Sequence, residues 1–130
     1  MINPLIFREY DVRGLVGKDL TRETVLTLGK GFGTYAARKG VRTVTLGRDC
    51  RLSSPEFRDA MAEGLASTGL AVIDVGICPT PLLYFSIIRC SADGGVMITG
   101  SHNPPEFNGF KLCVGPSTLY GEKIQEVRRI

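Results

Sequence analysis

Helix-type and strand-type hydrophobic periods alternate along the chain, and this alternation constrains the fold more than any other feature. Over residues 22–39 the apolar side chains Val25, Leu28, Phe32, Tyr35 and Ala36 recur every three or four positions, the period of one buried helix face. Thr21 offers an N-cap, Leu20 and Val25 a hydrophobic staple, Arg38 and Lys39 a complement to the negative helix end, and Gly40 a left-handed stop. Residues 43–46, TVTL, read as a short buried strand. Ser54 as cap and Pro55 at the first helical position open a second helix, which carries Phe57, Ala60, Met61 and Leu65 on one face and ends at Gly69. Residues 70–75, LAVIDV, give another strand, buried on at least one face. Thr80 and Pro81 start a third helix, apolar nearly all round, that runs to about Cys90. Residues 95–99 and 110–114 are further strands, and the spacing of Ile124, Val127 and Ile130 begins a fourth helix. Residues 5–14 are expected to be extended, with no place in the sheet assigned. The pattern predicts an α/β fold, three-layer α/β/α, with a mainly parallel mixed sheet.

Composition narrows the classes. A chain of 130 residues allows one domain, residues 1–130, and can bury a core without metals or disulfides. At 43% hydrophobic and 22% charged it is neither disordered nor a coiled coil, and sixteen glycines with seven prolines are too many for a helical bundle. The net charge of +3 is too weak to argue for nucleic acid, and the basic residues sit at loop ends rather than along one face with stacking aromatics. No nucleic-acid partner is expected. The longest uncharged stretch, residues 75–88, is too short to span a bilayer and is interrupted by Pro79 and Pro81, so no membrane partner is expected either. Four cysteines without a C-x-x-C pair, and no signal peptide in view, point to reduced thiols and a cytoplasmic protein. The fourth helix pattern stops at Ile130 without a capping glycine or polar tail, which reads as a piece of a longer chain.

Several motifs fail on context. Gly31-Phe32-Gly33-Thr34-Tyr35-Ala36 matches a loose dinucleotide pattern, but it falls inside the first helix, where small residues instead permit close helix–sheet packing. There is no Walker motif, no Cys/His metal spacing, and Gly100-Ser101-His102 is not a nucleophile elbow. The segment over residues 96–105, VMITGSHNPP, is different. A buried strand runs into a polar loop at the carboxyl end of the sheet, where open α/β sheets place their ligands. Gly100 lets the backbone approach a ligand closely, Ser101 offers a hydroxyl, His102 a donor or acceptor, and Pro104 and Pro105 stiffen the exit. On composition this is a good turn. Arg8, Arg13, Arg48, Arg51 and Lys111 on nearby loop ends make it suit a phosphate ester. A neutral serine needs a base, and a phosphoserine needs its charge neutralised during transfer. No acidic cluster for magnesium is present, and Asp93-Gly94-Gly95 does not make one. The residues form half a site.

Three stretches carry a resemblance to a known family: Phe7-Arg8-Glu9-Tyr10-Asp11-Val12-Arg13-Gly14, Gly47-Arg48-Asp49-Cys50-Arg51-Leu52-Ser53, and Thr99-Gly100-Ser101-His102-Asn103-Pro104 with Asn108-Gly109-Phe110-Lys111. The chain resembles the N-terminal domain of the α-D-phosphohexomutases, in the bacterial phosphomannomutase/phosphoglucomutase branch. Gly100 and the Tyr10-bearing run favour that branch over the phosphoglucosamine mutases, which typically have alanine before the serine. The resemblance implies that a phosphorylated Ser101 donates its phosphoryl group to a hexose 1- or 6-phosphate and regains one from the hexose 1,6-bisphosphate. It implies Lys111 as acid/base group, Arg13 as its positioning partner, His102 as a residue shaping the catalytic loop, and Tyr10 and Asn103 on the substrate side. One oxygen of the Ser101 phosphate would ligate Mg2+, whose main ligands, like the sugar-reading residues, lie in domains absent from this chain. The implied partners are a phosphosugar and the remaining domains of the same enzyme. A stand-alone phosphate- or phosphosugar-binding module is the rival reading.

Overall fold

The computed structural model describes residues 2–130. A 3-10 turn at Pro4–Ile6 leads into β1 (Val12–Leu15), followed by α1 (Arg22–Arg38), β2 (Thr43–Arg48), α2 (Ser54–Ser67) and β3 (Ala71–Ile77). After these come α3 (Thr80–Arg89), β4 (Gly94–Ile98), β5 (Phe107–Val114), the two-residue β6 (Ser117–Thr118) and α4 (Glu122–Arg129). The strands lie in the order β1-β5-β4-β2-β3, with β6 pairing β5. β2 pairs in parallel with β3 and β4, and β5 is antiparallel to β4, β1 and β6. One strand, β5, therefore opposes all the others, which makes the sheet mixed and mainly parallel as expected.

The path of the chain explains the layers. From β1 to β2 to β3 it moves one way across the sheet, and right-handed crossovers put α1 and α2 on the same face. From β3 it turns back over β2 to reach β4, so the same handedness throws α3 onto the opposite face. The larger core joins α1, α2 and α4 to the sheet through Val25, Phe32, Phe57, Met61, Val96 and Phe110, among others. The smaller core beneath α3 holds Cys78, Leu83, Ile87, Met97 and Cys113. Burial pushes the Cys113 thiol up to about 11, and the four cysteines are all unpaired.

Local signals behave well in α1. The Thr21 side chain accepts from the Thr24 N–H while the Thr24 hydroxyl accepts from the Thr21 N–H, a reciprocal cap, and Gly40 follows the helix at φ 86°. The glycines of this helix do pack closely, though against α2 rather than the sheet. A Cβ on Gly64 would lie 2.5 Å from the Leu26 carbonyl oxygen and 2.9 Å from the Gly29 Cα, and one on Gly33 would collide with Thr68.

Several expectations need correction. Residues 5–14 are not one extended run: the 3-10 turn takes Leu5 and Ile6, a turn takes residues 8–11, and β1 is an edge strand. The strand after α2 has no buried residue, because β3 is the other edge and α3 packs on β2 and β4. Ile73 and Ile77 are exposed, and so are Leu82, Phe85 and Ile88 on the outer side of α3. β3 also carries a register shift opposite Leu46/Gly47, with Gly76 at φ 81°, and its Asp74 pairs with both Arg48 and Arg58. Arg13 and Lys111 lie within strands rather than on the loops.

Backbone-to-backbone contact between α1 and α2 leaves no room for a methyl group at Gly64. Gly64→Ala should destabilise the domain by about 1–3 kcal/mol in urea denaturation, because overpacking here displaces a helix and not a side chain. An unchanged midpoint would show that the helices separate freely.

Candidate functional site

Register decides which side chains can meet. Across the antiparallel ladder Val12 faces Phe110 and Arg13 faces Gly109, while Met97 of β4 lies beside Lys111. Val12, Val96, Phe110 and Leu112 point into the larger core. Period-two alternation then puts Arg13 and Lys111 on the α3 face, with Met97 of the smaller core. Since α3 covers β2 and β4, the sheet over β5 and β1 stays open there, and these two cations occupy it. Gly109 keeps the strands close: a Cβ would lie 2.6 Å from the Val12 carbonyl oxygen.

The resulting cleft, about 520 Å3, is lined by Tyr10, Asp11, Arg13, Ser101, His102, Asn103 and Lys111. It gathers the six residues to which the resemblance assigns roles: Tyr10, Arg13, Ser101, His102, Asn103 and Lys111. Tyr10 rides on the turn closed by the Arg8 N–H to the Asp11 carbonyl at 2.9 Å, and is 67% exposed. Asp11 is buried and accepts from Arg13 Nη2 at 3.2 Å. Arg13 Nε is buried without a hydrogen-bond partner among the described residues. Ser101 and His102 are exposed, and Asn103 turns inward to donate from Nδ2 to the Gly100 carbonyl at 2.8 Å. Two of the other cations lie elsewhere. Arg8 does not line the cleft, and Arg48 pairs with Asp74 on β3.

The serine loop is held from below by a network that begins in the loop after β2. The Asp49 N–H donates to the Ile98 carbonyl at 2.9 Å, joining the ends of β2 and β4. Its carboxylate accepts from the Ser54 hydroxyl at 2.7 Å, the Arg51 N–H at 3.1 Å and the Gly100 N–H at 3.2 Å. Ser54 also accepts from Asn108 Nδ2 at 3.1 Å. The helix cap is Ser53 rather than Ser54, with no side-chain capping bond: the Ser53 Oγ accepts from Asn108 Nδ2 at 2.8 Å, and the Ser54 hydroxyl ties α2 to this network. Burial by itself would raise the Asp49 pKa, but hydrogen bonds from Ser54, Arg51, Thr99 and Gly100 together outweigh it and hold the carboxyl below its ordinary value.

Arg51 is not a cleft cation. Its guanidinium lies under the loop, where Nε donates to Asp49 Oδ2 at 3.1 Å. Nη1 donates to the carbonyls of Pro104 and Phe107 at 2.7 and 3.1 Å, and Nη2 to those of Ser101 and Asn103 at 3.1 and 2.8 Å. A Cβ on Gly100 would lie 2.3 Å from Arg51 Cζ. The glycine is thus required by the guanidinium beneath it, not by the approach of a ligand. Ser101 adopts φ 53°, a left-handed conformation that costs a non-glycine residue about 1 kcal/mol or more. Asp49, Arg51, Ser54 and Asn108 were missed as site-supporting residues by sequence reasoning. Asp49, Arg51 and Asn108 stand in the motif stretches, with Arg51 read as a loop-end cation, while Ser54 lies just outside them and reads as a helix cap; hydrogen-bond partners about 50 residues away leave no local period.

No group of three or more His, Cys, Asp or Glu side chains able to hold a metal occurs among the described residues. Asp93 accepts from the N–H groups of Arg42 and Thr43, at the opposite end of the sheet from the serine loop.

The family model described as phosphoglucomutase/phosphomannomutase, alpha/beta/alpha domain I, matches residues 4–130. The chain belongs to this family. A phosphoglucomutase of Neisseria gonorrhoeae is 48% identical over 125 residues, which is 96% of this chain and 27% of the relative. A phosphomannomutase/phosphoglucomutase of Pseudomonas aeruginosa is 47% identical over 123 residues, again 27% of its length. The crystal structure of a phosphoglucomutase/phosphomannomutase family protein from Burkholderia thailandensis superimposes with a TM-score of 0.93 at 39% identity, covering 99% of this chain and 30% of that one. The chain spans about a quarter of the length of the curated relatives it matches. No helix among the described residues is long and apolar enough to cross a membrane.

Because Asp49 accepts the Gly100 N–H, the Gly100 amide shift should titrate with that carboxyl, at a midpoint below 3.8. The stability it contributes should be complete above 3.8, the unfolded value, and lost as pH falls through the lower folded pKa. Amide spectra and urea melts between about pH 5 and pH 2 test the link, and a Gly100 midpoint at or above the unfolded value would break it.

Proposed function

We propose that this chain is the serine-bearing first domain of a phosphomannomutase/phosphoglucomutase, interconverting hexose 1-phosphate and hexose 6-phosphate in the cytoplasm. The observation that carries the reading is the cleft itself, where two stretches far apart in sequence, one bearing Arg13 and the other Ser101 and Lys111, come together. A left-handed serine in a cleft lined by two cations fits a residue that holds and passes on a phosphoryl group.

In the forward half-reaction the phosphorus–oxygen bond to Ser101 breaks while one forms to the sugar hydroxyl, giving the hexose 1,6-bisphosphate. The hydroxyl's proton passes to Lys111 as acid/base group, and Lys111 hands a proton on to the departing serine oxygen, so that it ends the half-reaction as it began. After the sugar turns round, the reverse transfer returns its other phosphate to Ser101. Arg13, anchored by Asp11, positions Lys111 and the phosphate. His102 and Asn103 shape the loop, Asn103 through its bond to the Gly100 carbonyl, while Tyr10 faces the sugar. The side chains present do not make a magnesium site by themselves, so no step here runs through the metal. Mg2+ belongs to the proposal as an ion that an oxygen of the Ser101 phosphate would ligate, with its main ligands, the sugar contacts and the second phosphate site supplied by further domains.

Inorganic phosphate titrated into the 130-residue chain should move the amides of residues 100–103, with a dissociation constant of about 1 mM, or about −4 kcal/mol, since exposed cations are screened. Arg13→Ala and Lys111→Ala should each weaken binding, and Lys39→Ala, at the far end of α1, should not. A loop that stays still while other amides move would make it only a turn.

The same chain with glucose 1-phosphate and magnesium should show no turnover above a Ser101→Ala control. Turnover well above that control would show that no further domain is required.

A further inference from the structure

Arginine carries five N–H donors, and in Arg51 all five are used, one on Asp49 and four on carbonyl oxygens of the serine loop. Four carbonyl dipoles converging on one point repel one another unless a cation sits between them. Side-chain exposure of Arg51 is only 15%, so its charge is largely withdrawn from solvent. The consequence for the cleft follows from peptide geometry. A trans peptide directs its C=O and N–H in opposite senses. With the Ser101 carbonyl drawn down onto Arg51, the N–H of the same peptide unit, that of His102, faces away from the guanidinium. It has no acceptor among the described residues.

We propose that Arg51 is a positioning residue for Ser101: the guanidinium sealed beneath the loop holds the left-handed serine and turns the His102 backbone N–H outward, pairing it with the Ser101 hydroxyl as an anion-binding edge of the cleft. The proposal rests on the phosphate-bearing reading of Ser101. It makes Gly100 and Arg51 one unit, since a side chain at position 100 would occupy the guanidinium's place. It also makes lysine a poor substitute, because three donors on a mobile ammonium cannot serve four carbonyls and a carboxylate in one plane.

The test uses the 130-residue chain with Arg51→Lys and, independently, Gly100→Ala, which displaces the guanidinium without removing it. In each variant that melts cooperatively, amide shifts in the core should match the unaltered chain. Those of Ser101 and His102 should move, and heteronuclear NOEs over residues 99–104 should fall. Inorganic phosphate should bind about tenfold more weakly, the equivalent of one charge-assisted hydrogen bond. In the unaltered chain, the Arg51 Nε–H should be protected from solvent exchange, a measurement that stands even if both variants fail to fold. Rapid exchange there, or variant loops with unchanged order and unchanged phosphate affinity, would overturn the proposal. If the unaltered chain binds no phosphate at the loop, the phosphate reading fails, while the hold of Arg51 on the loop is still decided by the NOEs and the Nε–H exchange.

Discussion

Right-handed crossover geometry, applied to a chain that reverses its direction across the sheet after β3, places nearly everything else. The reversal leaves β2 and β4 as neighbours whose following loops leave the same end of the sheet, at a topological switch point. The loop after β2 brings Asp49 and Arg51, and the loop after β4 brings Ser101. Because β4 continues into the antiparallel β5, the chain returns past its own loop and carries Lys111 back along the open face. β1, added at the edge of β5, delivers Arg13 beside it. A sheet face covered by a single helix is what leaves room for this assembly.

The two kinds of arginine near the serine do different physical work. Arg13 keeps a partly exposed charge, shared with a buried carboxylate. Arg51 spends its hydrogen-bonding capacity on the protein's own carbonyls and has none to offer a ligand. A count of cations around the loop, the argument available from sequence, treats them alike. Charge near an anion site can serve either to meet the anion or to fix the backbone that meets it, and only the geometry separates these uses.

Features whose cause is local were legible in the sequence. Thr21 marks the start of α1 as its N-cap, Gly40 and Gly69 follow their helices at positive φ, and the mostly apolar GVMIT run reports a central strand. The serine loop was legible because it follows such a strand. What failed depends on partners distant in sequence. An apolar run reads as buried whether its strand is central or, like β3, at an edge. Ser54 before a proline reads as a cap until Asp49 and Asn108 are seen to claim its hydroxyl. Gly100 reads as space for a ligand until Arg51 is found there. Likewise the small residues of α1 report close packing without saying on what.

The exposed strand β3 poses a problem of self-recognition. Its sequence from Ala71 to Ile77 is mostly β-branched or apolar, and one side of its backbone ladder is unpaired, the composition from which edge-to-edge association grows. Two features described above oppose that outcome. The register shift with Gly76 at φ 81° bends the strand out of the flat form that a second copy needs for continuous pairing. Asp74, fastened by Arg48 and Arg58, fixes charge in the middle of the run, where an incoming strand would have to desolvate it. The irregularity in β3 is thus a guard on the sheet's open margin, keeping a sticky sequence from templating its own polymer.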